Sequence, residues 1–125
     1  MAGGIGELKM LSVDSADAQR DAAFWSSVLG WETSYAEGDY AMLSGPGHSL
    51  GFGTVPDYQP PAWPNARGSK HFHLDLAVPD LTEAERQCVE LGAVVPEDQP
   101  GGDRWRVLLD PSGHPFCLTL ADNWG

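Results

Sequence analysis

One arrangement of residues occurs twice in this 125-residue chain and restricts what it can fold into: a short apolar strand, an acidic helix cap, an apolar stripe at helical spacing and a glycine stop. In the first copy Leu11 and Val13 mark the strand, Asp17 is the cap, Ala22, Trp25, Val28 and Leu29 form the stripe, and Gly30 ends the helix. In the second, Asp80 is the cap, with Glu83 at the third helical position in a capping-box-like pair. Leu81, Ala84, Cys88 and Leu91 form its stripe and Gly92 its stop. Cap to stop measures 13 positions in one copy (17 to 30) and 12 in the other (80 to 92), so the two match closely but not residue for residue.

What surrounds each helix also repeats. Ile5 to Val13 reads as a first strand, after a flexible lead-in of Gly3, Gly4 and Gly6. Trp31 to Tyr35 and Tyr40 to Leu43 read as strands around the turn Glu37-Gly38-Asp39, and Gly45-Pro46-Gly47 turns into Leu50 to Val55. After the second helix come Ala93 to Val95, a turn-rich stretch through Gly101 and Gly102, Arg104 to Leu109, the turn Asp110-Pro111-Ser112-Gly113, and Pro115 to Leu120. The predicted fold is α+β: one domain of two βαβββ modules, residues 5–55 and 69–121, joined by a connector over 56–68.

The strand that opens the second module carries the chemistry. In Lys70 to Asp80, alternation puts His71, His73 and Asp75 on one face and Phe72, Leu74, Leu76 and Val78 on the other. Each polar residue has a structural alternative: an edge position for His71, a hydrogen-bonded ring for His73, a turn anchor for Asp75. Three on one face point to the lining of a cleft. The connector before them holds Pro56, Pro60, Pro61 and Pro64 around Tyr58 and Trp63. It reads as a semi-rigid spacer, or as a loop that lends two aromatic walls to that cleft.

A net charge of -11 excludes nucleic acid and anionic membrane as partners and favours neutral or cationic small molecules. No segment has the length and apolarity of a membrane span, and Met1 to Gly6 lacks the features of a signal peptide. Cys88 and Cys117, the two cysteines, sit among apolar neighbours and read as reduced core residues of a cytoplasmic protein. No phosphate loop is present, and no Ser or Cys nucleophile has a recognisable base beside it in sequence.

Three stretches together resemble the vicinal oxygen chelate superfamily, and within it the glyoxalase-like proteins: Phe24-Trp25 with Leu29-Gly30-Trp31, Asp110-Pro111-x-Gly113-x-Pro115, and His73 to Val78 with Asp80 and Gly92-Ala93. That group includes glyoxalase I, extradiol dioxygenases and bleomycin-type resistance proteins. The resemblance implies an open, cup-shaped mixed sheet with helices outside, a ligand cleft, and a homodimer. In the metal-using members one ligand lies on the first strand and one on the last strand of each half. Matched to those positions, this sequence has Met10, Gly51, His73 and Cys117. The quartet offers one good hard ligand, His73, so no metal cofactor is expected. His71, His48 and His114 are the other histidines that could move in. The ligand contacts expected are Met10, Gly51, Tyr58, Trp63, His73, Asp75 and Cys117, with His73 and Asp75 as candidate catalytic groups. Three functions stay open: metal-free binding of a small molecule, as in drug sequestration; a metal-dependent lyase or dioxygenase; and a metal-free enzyme using His73 and Asp75.

Overall fold

The computed structural model describes residues 4–124, so Gly3 of the glycine lead-in lies outside the described residues. The chain divides into two compact units between Tyr58 and Gln59.

The first unit runs β1 (Met10–Ser15), α1 (Ala18–Leu29), β2 (Glu32–Glu37), β3 (Tyr40–Ser44) and β4 (Ser49–Thr54). Its sheet has the order β1-β4-β3-β2, with β1 and β4 parallel and the other pairs antiparallel. The first strand starts at Met10 rather than Ile5, and Ile5 and Leu8 are exposed. Asp17 caps α1 as expected, its carboxylate accepting from the Arg20 N–H at 3.1 Å. Gly30, at φ 72°, supplies the left-handed residue that closes the helix, its N–H donating to the Ser26 carbonyl at 2.8 Å. Ala18, Ala22, Phe24 and Trp25 are buried, as are Leu43, Leu50 and Phe52 of the strands that α1 covers. Phe24 and Trp25 meet edge to face at 5.2 Å. Because strand residues alternate, a helix-facing Leu50 and Phe52 leave Gly51 and Gly53 on the opposite face.

The second unit runs β5 (Leu74–Val78), α2 (Leu81–Leu91), β6 (Trp105–Leu109) and β7 (Pro115–Leu120), followed by a short 3-10 turn, Ala121–Trp124. The sheet order is β5-β7-β6, with β5 and β7 parallel and β6 and β7 antiparallel. Asp80 caps α2 by accepting from the Glu83 N–H at 2.9 Å. The Glu83 carboxylate, however, binds the Arg86 guanidinium and the Gln87 amide, an i,i+3 and i,i+4 arrangement on the helix surface. Of the expected stripe only Cys88 is buried; Leu81 and Ala84 are half-buried and Leu91 is exposed. Arg106 of β6 reaches Glu85 of α2 at 2.8 Å and ties helix to sheet.

The expected strand Ala93 to Val95 is reduced to one bridge, Val94 with Leu109. Pro96 and Pro100 remove ladder donors just beyond it, so no strand continues there. The edge of β6 is completed by a side chain instead. The Gln99 amide donates to the Val107 carbonyl at 2.8 Å and accepts the Val107 N–H at 2.9 Å. One glutamine thus makes both bonds that a neighbouring strand would have made.

Candidate functional site

β5 begins at Leu74, later than the sequence suggests, because His71 adopts φ 55° and turns the chain just ahead of it. That turn breaks the alternation. His71 and Phe72 are both exposed, Phe72 at 95 %, instead of continuing the two strand faces. His73 and Asp75 do share a face, with His73 Nε2 3.2 Å from Asp75 Oδ1 and their side chains 27 % and 42 % exposed. A carboxylate at that nitrogen selects the Nε2–H tautomer of a neutral ring and leaves Nδ1 as an acceptor.

Register adds a third group to this pair. Asp75 stands opposite Cys117, and Cys117 opposite Val107, so the three form one row across β5, β7 and β6. Cys117 is buried, and burial, together with the negative charge and hydrogen bonding of Asp75, pushes its thiol up to about 11 although Lys70 acts the other way. A thiol so held stays protonated near neutral pH and is not a ready nucleophile.

The connector supplies the cover. Trp63 is 8 % exposed and packs with Cys117 and Val107, flanked by Trp105 and Leu109. Its Nε1–H is buried with no hydrogen-bond partner, the single such side-chain atom among the described residues. The Lys70 ammonium lies 4.8 Å from the Trp63 ring centre, a cation–π contact with no marker in the sequence pattern.

The remaining expected residues distribute simply. Met10 and Gly51 belong to the first unit, where a Cβ on residue 51 would come within 2.9 Å of the Met10 sulfur. A side chain at residue 51 would have to displace the flexible Met10 thioether. They line an apolar concavity of about 370 Å³ with Tyr35, Tyr40, Met42 and Gly53, of which only Met10 and Gly51 were anticipated. Tyr58 is the last residue of that unit and is half-buried. His48 packs edge to face on Trp31 at 5.8 Å, and His114 Nδ1 meets both Asp110 oxygens at 2.7 and 2.9 Å. Both rings hold turns, and neither enters the row at Asp75.

The four positions at which the resemblance implies metal ligands do not fit such an ion: Met10 offers only a thioether and Gly51 nothing. A different set does have ligand spacing. One donor atom each from His73, Asp75 and Cys117 lie within 4.8 Å of one another. Asp75 is the residue whose part in this set sequence reasoning missed; pairing the strands by register would have found it.

The profile of the glyoxalase-like domain matches residues 10–119. No curated protein sequence matches the chain. A glyoxalase/bleomycin resistance protein/dioxygenase family enzyme from Burkholderia phytofirmans has a TM-score of 0.67 at 16 % identity, over 90 % of this chain and 97 % of that one. A possible glyoxalase from Bacillus cereus has a TM-score of 0.67 at 18 % identity, over 93 % and 99 %. The trypanothione-dependent glyoxalase I of Leishmania major has 0.66 at 16 %, over 95 % and 89 %. At such identities the likeness is one of fold.

Proposed function

The chain belongs to the glyoxalase-like domain family, within the vicinal oxygen chelate superfamily, and from that premise we propose that it binds a small organic molecule, neutral or cationic and partly aromatic, directly through its side chains in the manner of a drug-sequestering protein. The observation that carries this reading is the His73–Asp75 pair beside a buried tryptophan whose N–H has no acceptor. Small-molecule sites combine apolar surface with a few placed polar groups. Here Asp75 accepts from an ammonium or hydroxyl, His73 fixes orientation, Cys117 and Trp63 form the apolar floor, and the Trp63 N–H donates to a ligand oxygen. In the first unit, Met10, Gly51 and Tyr58 are proposed as apolar ligand contacts. The charge of -11 favours cations over carboxylates and phosphates.

A panel of cationic, neutral and anionic aromatic compounds, read by melting temperature, tests this. Stabilisation by cationic or neutral members supports it, and stabilisation by anionic members alone contradicts it.

The 3.2 Å contact between His73 and Asp75 favours a second reading, a metal-free enzyme in which His73 Nδ1 takes a proton from the bound molecule. Chemical change of the bound compound on incubation separates it from simple binding. We also propose a cytoplasmic homodimer, on the family's habit. Among the described residues no helix is long and apolar enough to cross a membrane. Phe24 and Trp25 are buried within the chain, so a dimer would use other surfaces; light scattering at micromolar concentration tests it.

A further inference from the structure

The loop ahead of β5 is clamped by one side chain. Asn65 Nδ2 donates to the Ala62 carbonyl at 2.7 Å and to the Ser69 carbonyl at 2.6 Å, and Asn65 Oδ1 accepts the Ser69 N–H at 3.1 Å. Trp63 follows Ala62 and Lys70 follows Ser69, so a single amide fixes the backbone beside both residues. Left-handed residues on either side of Ser69 and Lys70, Gly68 at φ 65° and His71 at φ 55°, complete the turn. It sets the Lys70 ammonium 4.8 Å from the centre of the Trp63 ring. Although the chain has 18 acidic residues, this ammonium forms no ion pair among the described residues; what holds it is the indole. Its charge reaches Cys117, where it opposes the effect of Asp75, so it stands close to the row that those two residues form.

We propose that the Trp63 face beneath Lys70 is a subsite for the ammonium or aromatic ring of a ligand, and that Lys70 is its internal occupant, which the ligand must evict. A ring whose negative face attracts the chain's own ammonium attracts an external cation, or the edge of a flat ring, for the same reason. The inference rests on the small-molecule reading and adds to it the residue that controls entry. Because Asn65 pins the backbone at Ala62 and Ser69, only the flexible Lys70 side chain has to move, and its strongly hydrated ammonium is stable in water. While it covers the ring, only the fraction of molecules with Lys70 displaced can bind, and apparent affinity falls by that fraction.

The chain has two lysines, Lys9 and Lys70, and the Lys9 side chain is 74 % exposed. Protein carrying carbon-13 lysine therefore gives two ε-methylene signals in a nuclear magnetic resonance spectrum. One is expected at the ordinary position and one upfield, shifted by the indole ring current; the upfield signal disappears in Lys70→Ala and returns to the ordinary position when benzyltrimethylammonium is added to the wild type. Calorimetry with benzyltrimethylammonium and the neutral benzyl alcohol completes the test. Lys70→Ala binds both compounds tighter, by roughly two- to thirty-fold, because the contact to be broken is gone. Lys70→Arg, whose guanidinium also stacks on the ring, shows no gain. Two lysine signals at the ordinary position, or an upfield signal that stays in place while benzyltrimethylammonium binds, overturns the proposal. A gain confined to the cationic compound reports only the lost charge and also overturns it. Equal binding by wild type and Lys70→Ala removes the Lys70 occupant alone and leaves the small-molecule reading standing; no binding of either compound to either protein removes both.

Discussion

Asp75 and Cys117 face each other across the parallel pair β5 and β7, and burial, together with the negative charge of Asp75, pushes the Cys117 thiol up to about 11. An unfolded cysteine ionises near 9.0. The folded value is raised, so the contribution to stability is fully present below pH 9.0 and is lost as pH climbs toward about 11, where the unfolded chain sheds a proton that the folded chain retains. Melting across this window should show a loss in the wild type that is smaller in Cys117→Ala by on the order of 2 kcal/mol, the remainder coming in part from Cys88, whose thiol burial also raises. Parallel pH profiles for the two proteins would contradict the account.

Gln99 acts in place of a strand at the edge of β6, bonding both the N–H and the carbonyl of Val107. Gln99→Ala leaves two backbone groups next to buried Val107 without partners, which should cost about 1–3 kcal/mol in urea unfolding. Gln99→Glu keeps the acceptor but not the donor and should fall between. A neutral Gln99→Ala would show that solvent already satisfies this edge.

Gly101 is required by a side chain. A Cβ there would lie 2.3 Å from the Trp105 indole, and Trp105 flanks the Trp63 and Cys117 cluster. Gly101→Ala should therefore displace Trp105 and destabilise the protein by about 1–3 kcal/mol, with a change in near-ultraviolet circular dichroism from the tryptophans. Gly6→Ala, where nothing lies within 4 Å, is the control and should be silent.

Much of this architecture was legible in the chain, and the reasons are local. Asp17, Gly30, Asp80 and Gly92 carry their own structural instructions, so both helices end where those residues stand. Pro115 to Leu120 was bounded correctly because a turn with an obligatory glycine, φ 87° at Gly113, precedes it. The misplaced features depend on context. The left-handed turn at His71 has no sequence marker, and it shortened β5 and set Phe72 loose. The lost strand at Val94 depends on a Gln99 side chain that bonds a residue eight positions away. At the site, the His73–Asp75 pair follows from period-two alternation. Cys117 and Trp63 came with the resemblance and the aromatic loop, but their meeting at one row needed the register of β5, β7 and β6.

Trp63 separates ring from donor. Trp63→Phe keeps an aromatic surface on Cys117 but removes the unpartnered N–H, and should weaken a ligand that offers an oxygen by about 0.5–1.5 kcal/mol, the net worth of one hydrogen bond. Trp63→Ala also empties part of the floor and should cost more, in both ligand affinity and melting temperature. Equal affinity in wild type and Trp63→Phe would show that the N–H does not contact the ligand.

Calorimetric titration of the best-binding cationic compound into wild-type protein and Asp75→Asn is the most direct measurement. Asp75→Asn keeps the size of the side chain and removes its charge, at a position whose side chain is 42 % exposed. Tenfold or more loss of affinity, about 1.4 kcal/mol, with an unchanged melting temperature for the free protein, is the result predicted for a ligand held at Asp75. The same affinity in both proteins would contradict the assignment of the site.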